Sequence, residues 1–168
     1  EDGALEAWPE MRRVSSVIAL SDFNERAFRR ALPNVDVRKI LYPFMLNVGM
    51  LEPSDAVRSR YGIATDSFVV FFNFSYTSGC ERKNPHGLLR AFAKAFRDEP
   101  DACLVLKTQN AASCPERVTE LRRLAEEGGV SDRVILIDRY LSQNELYALT
   151  NACDVYASLH RGEGFGLG

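Results

Sequence analysis

Apolar positions in this chain gather into short dense runs, and the stretches between them repeat at helical spacing. Ser67 to Phe74 (SFVVFFNF) is almost continuously apolar and aromatic, which predicts a strand buried on both faces. A loop over Ser75 to Lys83 follows. Asn84 then stands where a helix N-cap is needed, with Pro85 at the first helical position. Leu88, Leu89, Phe92 and Phe96 line one face of that helix, and Pro100 closes it. The alternation repeats with a second buried strand over Ala102 to Lys107. Pro115 opens a helix with Val118, Leu121 and Leu124 inward, ending at Gly128-Gly129. A third strand is predicted over Arg133 to Asp138. Ser142 and Glu145 have capping-box spacing ahead of Leu146 and Leu149, and a last strand runs from Asp154 to Leu159.

Strand and helix alternating at this length predict βαβ units, hence an α/β fold: a Rossmann-like parallel sheet with helices on both faces. Ligands of such sheets bind at the carboxyl ends of the strands, which singles out the loops 75–83, 107–113, 138–141 and 160–167. The amino-terminal third reads differently. Val17 to Leu20 is a short strand, and Ser21 caps a helix with Phe23, Ala27 and Phe28 on one side. Val35 to Tyr42 is a further strand broken by Pro43, and Ser54 is placed to cap a short helix ending near Gly62.

Composition narrows the function. A chain of 168 residues has room for one domain, or one domain with part of another. The net charge of −2 leaves no global basic footprint for nucleic acid. The pairs Arg12-Arg13, Arg29-Arg30 and Arg122-Arg123 read as solvated faces. Cys80, Cys103, Cys114 and Cys153 show no metal-like spacing, and Cys103 and Cys153 sit at strand starts as small hydrophobes, which favours a reducing compartment. No apolar run is long enough for a membrane span, and the chain opens on Glu1, so both ends are expected to be cut from something longer.

The chemistry concentrates at the end of the chain. His160-Arg161-Gly162-Glu163-Gly164-Phe165-Gly166-Leu167 places one carboxylate among three glycines directly after a strand. Glycine lets backbone N–H groups come close to a ligand, and a following helix would aim its unpaired N–H groups and dipole at an anion. Arg82 and Lys83 supply two cations at the mouth of the first strand–helix unit. Fixed positive groups there suit an anionic ligand, and they act most where negative charge develops during a reaction. His160 and Arg161 flank the glycine loop. A dinucleotide-binding dehydrogenase is excluded, because no G-x-G-x-x-G follows the first strand.

The string Glu163-Gly164-Phe165-Gly166-Leu167 resembles the donor-binding loop of family-4 glycosyltransferases, retaining enzymes of the GT-B fold. In that family a second Glu follows eight residues after the first, a position beyond Gly168. A Lys eight residues before an Ala-Phe pair contacts the donor diphosphate, and Lys83 stands eight residues before Ala91-Phe92. The family's Gly-Arg after the first strand is replaced here by Phe74-Ser75, so Arg82 would have to substitute for that Arg. The resemblance implies residues 1–45 as a remnant of the acceptor domain and 46–168 as a donor-binding domain incomplete at its end. It implies Glu163 and Lys83 as the catalytic pair, with Arg82, Lys83, Arg139, Tyr140, Glu163, Gly164, Phe165, Gly166 and Leu167 meeting the donor. Tyr140 would stack on the nucleobase, and Arg139 would reach the base or a phosphate. The substrate implied is a nucleotide-diphosphate sugar, passed to a glycan or lipid-linked acceptor, with no metal or other cofactor. A cytoplasmic site at the inner face of a membrane and self-association through residues 15–42 complete the expectation. The alternatives are a non-catalytic nucleotide-binding module and an epimerase or phosphorylase of the same fold.

Overall fold

The computed structural model describes residue 10 and residues 13–41 and 49–162; the amino-terminal nine residues, 11–12, 42–48 and 163–168 lie outside the described residues. The chain divides into two compact units, and among the described residues 10 and 13–41 belong to the smaller and 49–162 to the larger.

The smaller unit is a β-α-β element. Strand β1 (Ser16–Ala19) and strand β2 (Asp36–Lys39) pair in parallel, joined by helix α1 (Asp22–Ala31). Ser21 caps α1 as the sequence predicts, its hydroxyl accepting from Asn24 N at 3.1 Å. The expected apolar side of α1 differs in outcome. None of its residues is buried, and Phe23 is 73% exposed. A two-stranded sheet has too little surface to cover that face.

The larger unit holds a four-stranded parallel sheet: β3 (Phe68–Asn73), β4 (Ala102–Thr108), β5 (Val134–Asp138) and β6 (Val155–Tyr156), in the order β5-β4-β3-β6. The even positions Val70, Phe72, Leu104 and Leu106 pack against helices α4 (Pro85–Ala95) and α5 (Pro115–Glu127). The odd positions Val69, Phe71, Cys103 and Val105 pack with helices α2 (Ser54–Arg60) and α6 (Gln143–Asn151). Alternation of side chains along a strand thus splits the core into two layers, helices on both faces as predicted. Asn84 caps α4 through Gly87 N at 3.2 Å, and Ser142 with Glu145 completes the capping box of α6.

Several local expectations change. The predicted 75–83 loop contains a 3₁₀ turn (Tyr76–Ser78) and a short helix, α3 (Cys80–Lys83). Ser54 is the first residue of α2 and makes no capping bond; Pro53 occupies the cap position. The last strand is two residues long rather than six. Its ladder runs from Asp154 N bonded to Val69 O (3.0 Å) to Ala157 N bonded to Phe71 O (2.9 Å), after which the chain leaves the sheet.

Two arginines bind the larger unit together. Arg58 is 8% exposed and donates to the carbonyls of Ala152 (2.8 Å), Thr65 (2.8 Å) and Ser67 (2.9 Å) and to Asp154 Oδ2 (3.1 Å). Arg133 donates to the carbonyls of Phe96 (2.7 Å), Glu99 (2.6 Å) and Arg97 (3.1 Å), satisfying acceptors that the end of α4 leaves open. All four cysteines are free thiols. Burial pushes the Cys80 and Cys103 thiols up and that of Cys153 up to about 12, which holds them protonated and inert.

Candidate functional site

The strand order sets where a ligand can enter. The chain passes from β3 to β4 to β5 on one side, and then returns across the sheet through α6 to place β6 on the far side of β3. The strand order therefore reverses between β3 and β6. A crevice opens at the carboxyl ends of such a pair of strands.

What lies at that point is a junction between α3 and the segment after β6. Arg82 Nη1 donates to Gly162 O at 2.9 Å, and Nη2 to Ser78 O at 3.0 Å. In return Arg82 O accepts from Arg161 N at 2.8 Å. Asn84 Nδ2 donates to Leu159 O at 3.2 Å. His160 packs its ring on Phe72, with centroids 5.4 Å apart, and its Nδ1 lies 2.8 Å from Ser158 Oγ. Lys83 is half-buried in the last turn of α3, between the two residues that hold the loop. Two of the cations singled out from sequence, Arg82 and Lys83, thus stand on the short helix that is hydrogen-bonded to the segment leading toward Glu163. Glu163, Gly164, Phe165, Gly166 and Leu167 themselves lie outside the described residues.

Along the same edge, a polar cluster surrounds Ser75. Asn110, in the left-handed region at φ 66°, donates to Ser75 Oγ at 3.2 Å and to Thr77 Oγ1 at 3.4 Å. Asp138 accepts from Thr108 Oγ1 at 2.8 Å and from Ala111 N, tying the loops after β4 and β5 together.

Arg139 and Tyr140 are two strands from β3, about 10 Å at the usual strand spacing. Arg139 is already engaged with Tyr61. It donates to the phenol oxygen at 2.9 Å, and its guanidinium carbon lies 5.4 Å from the ring centroid. Tyr140 is 83% exposed and open to stacking. Arg60, Tyr61, Asp138 and Arg139 line a cavity of 380 Å³ beside the free edge of β5. A larger cavity, 460 Å³ among Arg90, Lys94, Arg97 and Glu127, sits where α4 and α5 end, at the opposite end of the sheet. Size alone would choose the wrong end; topology decides.

One residue of this edge escaped the reading from sequence. Lys107, near the end of β4 and in register with Asn73, is only 7% exposed. Burial holds its ammonium below the ordinary lysine range, opposed by the field of Asp138. Among the described residues no carboxylate forms an ion pair with it. In the sequence it stood only as the last letter of an apolar run. The signal was a cation ending a strand otherwise buried on both faces. Among the described residues no group of three or more His, Cys, Asp or Glu side chains is arranged to hold a metal.

The fold is matched in solved structures. HepE of Anabaena, crystallised with UDP and glucose, aligns over 99% of this chain at 25% identity with a TM-score of 0.77. Sucrose-phosphate synthase of Thermosynechococcus elongatus aligns over 99% at 20% identity and TM-score 0.73. The C-terminal domain of a glycosyl transferase group 1 family protein from Francisella tularensis aligns over 69% at 19% identity and TM-score 0.57. The fold is that of a GT-B glycosyltransferase C-terminal domain. The chain spans less than half the length of the first two, 44% of HepE and 40% of the synthase, and 57% of the third. No family model matches the sequence, and no curated protein sequence does.

Proposed function

We propose that this chain is the donor-binding half of a retaining, family-4 glycosyltransferase that moves a hexose from a nucleotide-diphosphate sugar to a glycan or lipid-linked acceptor. The observation that carries the reading is the junction at the β3–β6 crossover, where α3 with Lys83 is hydrogen-bonded to the segment entering the glycine loop. Support comes from HepE, whose solved complexes hold UDP and UDP-glucose.

In this reading Lys83 neutralises the charge that develops on the leaving diphosphate. Glu163 accepts hydrogen bonds from the donor sugar's hydroxyls, and the N–H groups of Phe165 to Leu167 face the sugar and diphosphate. Arg82 spends two of its N–H groups on carbonyls, so its part is divided between holding the loop and lending positive field to the phosphates. Lys107 adds a buried cation one strand away, a place a ligand phosphate can compensate. Tyr140 and Arg139 meet the nucleoside at the far end of the edge, about 10 Å from β3, which suits an extended nucleoside diphosphate. The reaction runs without metal, in the cytoplasm at the inner face of the membrane. The acceptor and the remaining catalytic groups belong to a second domain.

Saturation-transfer NMR of the chain against UDP-, GDP-, ADP- and TDP-sugars tests this reading. Signals from sugar and base protons together support it. Equal binding of plain nucleotides and nucleotide sugars returns the non-catalytic module, and the anomeric configuration of a full-length enzyme's product decides retention.

A further inference from the structure

From Ser158 onward the chain has left the β6 ladder, yet its backbone is tied at three points to residues 82–84. Arg161 N bonds to Arg82 O, Arg82 Nη1 to Gly162 O, and Asn84 Nδ2 to Leu159 O. Asn84 is the unusual member. It sits in the left-handed region at φ 55°, ψ 45°, and its amide is used at both ends. Oδ1 accepts from Gly87 N at 3.2 Å, and Nδ2 donates to Leu159 O at 3.2 Å. The two partners fix the orientation of the amide, because a backbone N–H only donates and a carbonyl only accepts. Any ordinary N-cap would serve α4; an acceptor and a donor on one short side chain are needed to serve the loop as well. Gly87 makes this possible for a steric reason. A Cβ there would lie 2.5 Å from Asn84 Nδ2 and 2.6 Å from Oδ1, so any side chain at 87 displaces the amide.

We propose that Asn84, given room by Gly87, is a positioning residue that locks the segment leading into the glycine loop onto the turn bearing Lys83. The donor part of this inference rests on the function proposed above. Lys83 lies between Arg82 and Asn84, so the lock ties the turn bearing the cation to the segment 159–162 that leads to the loop. An approach fixed before the donor arrives leaves less ordering for binding to supply. Asn84 touches neither; it acts through the loop.

The test separates capping from locking. Asn84→Asp keeps an acceptor for Gly87 N and tolerates the left-handed conformation, but has no N–H for Leu159 O. Hydrogen exchange followed by NMR on the whole chain should show the Arg161 amide exchanging about tenfold faster in this variant, the factor carried by one hydrogen bond of ordinary net strength. Amides of Leu88 and Leu89 in α4 should keep their protection. Gly87→Ala should release Arg161 in the same way. Calorimetry should show affinity for UDP-glucose falling about tenfold in Asn84→Asp while affinity for uridine holds, since the loop meets sugar and diphosphate rather than base. Unchanged Arg161 exchange in both variants overturns the lock. Faster exchange with unchanged UDP-glucose affinity overturns its positioning role. A wild-type chain that binds no nucleotide sugar sinks the donor reading instead, and the exchange result still decides the lock.

Discussion

At the scale of single residues, the groups that matter are those whose charge is constrained by burial. Lys83→Ala should weaken UDP binding by about 1.5–3 kcal/mol, the usual worth of a charge-assisted hydrogen bond. Lys107→Met should cost a similar factor while leaving the unfolding midpoint unchanged or higher, because it removes a buried charge that no carboxylate pairs among the described residues. Calorimetric titration with UDP beside urea unfolding checks both, and a destabilised Lys107→Met would show a structural role instead. His86 gives a pH dependence of definite sign. Its Nε2 stands 3.5 Å from Glu120 Oε2, with Arg117 and Arg90 also acting on it. Burial is the largest influence and drives its value below the ordinary 6.5, Glu120 opposing. Below pH 6.5 the unfolded chain therefore takes up the proton more readily than the folded one. His86 contributes its full stability above that value and loses it as the pH falls through the window beneath. Urea midpoints should drop on acidification, and His86→Gln should flatten that slope. Lys83 was singled out in the sequence by its spacing from Ala91-Phe92, through the resemblance. Lys107 and His86 were not, since what singles them out is burial by residues far along the chain.

Elements were read best where the signal was local. Asn84-Pro85 and Ser142 with Glu145 set helix starts through bonds spanning three residues, and both stand as expected. β3 and β4 announced themselves by continuous apolar runs. What failed depended on partners. α3 is a single turn after the left-handed Gly79, too short for periodicity to reveal. β6 stops after two residues because, from Leu159 on, its backbone is held by Asn84 and Arg82 instead of by β3. Arg58 was silent too, although it connects α2 to β6 and to the approach to β3. Four acceptors lose a charged donor in Arg58→Met, and three of them are carbonyls. That variant should lose about 3 kcal/mol of stability to denaturant, near the upper value for a hydrogen bond to a charged group. An unchanged urea midpoint would mean that water replaces Arg58 there.

Across the whole molecule, the sequence reading recovered the class of fold, since alternating strands and helices leave few other arrangements. The donor loop was legible only as a string of letters, because Glu163 to Gly168 lie outside the described residues. The two units carry different expectations. In the smaller one Ile18 (61% exposed), Phe23 (73%) and Leu41 (73%) present apolar surface beside a two-stranded sheet with open edges. Such surface invites association, so sedimentation of the chain should show concentration-dependent dimers that Phe23→Glu disperses; a strict monomer would refute this. The larger unit carries the proposed donor edge, and the need for an acceptor beside it sets the final prediction. Sugar transfer needs the acceptor oxygen within ~3–3.5 Å of the anomeric carbon, positioning worth roughly 7–11 kcal/mol of barrier. In the proposed reading a second domain holds the acceptor, and the chain corresponds to only 44% of HepE. Residues 1–168 alone should therefore bind UDP-glucose weakly and transfer nothing to an added glycan. Adding the acceptor domain together with the helix that would follow the glycine loop should restore turnover, and neither addition alone should do so. Measurable transfer by the 168 residues by themselves would show that both halves of the chemistry already lie within them.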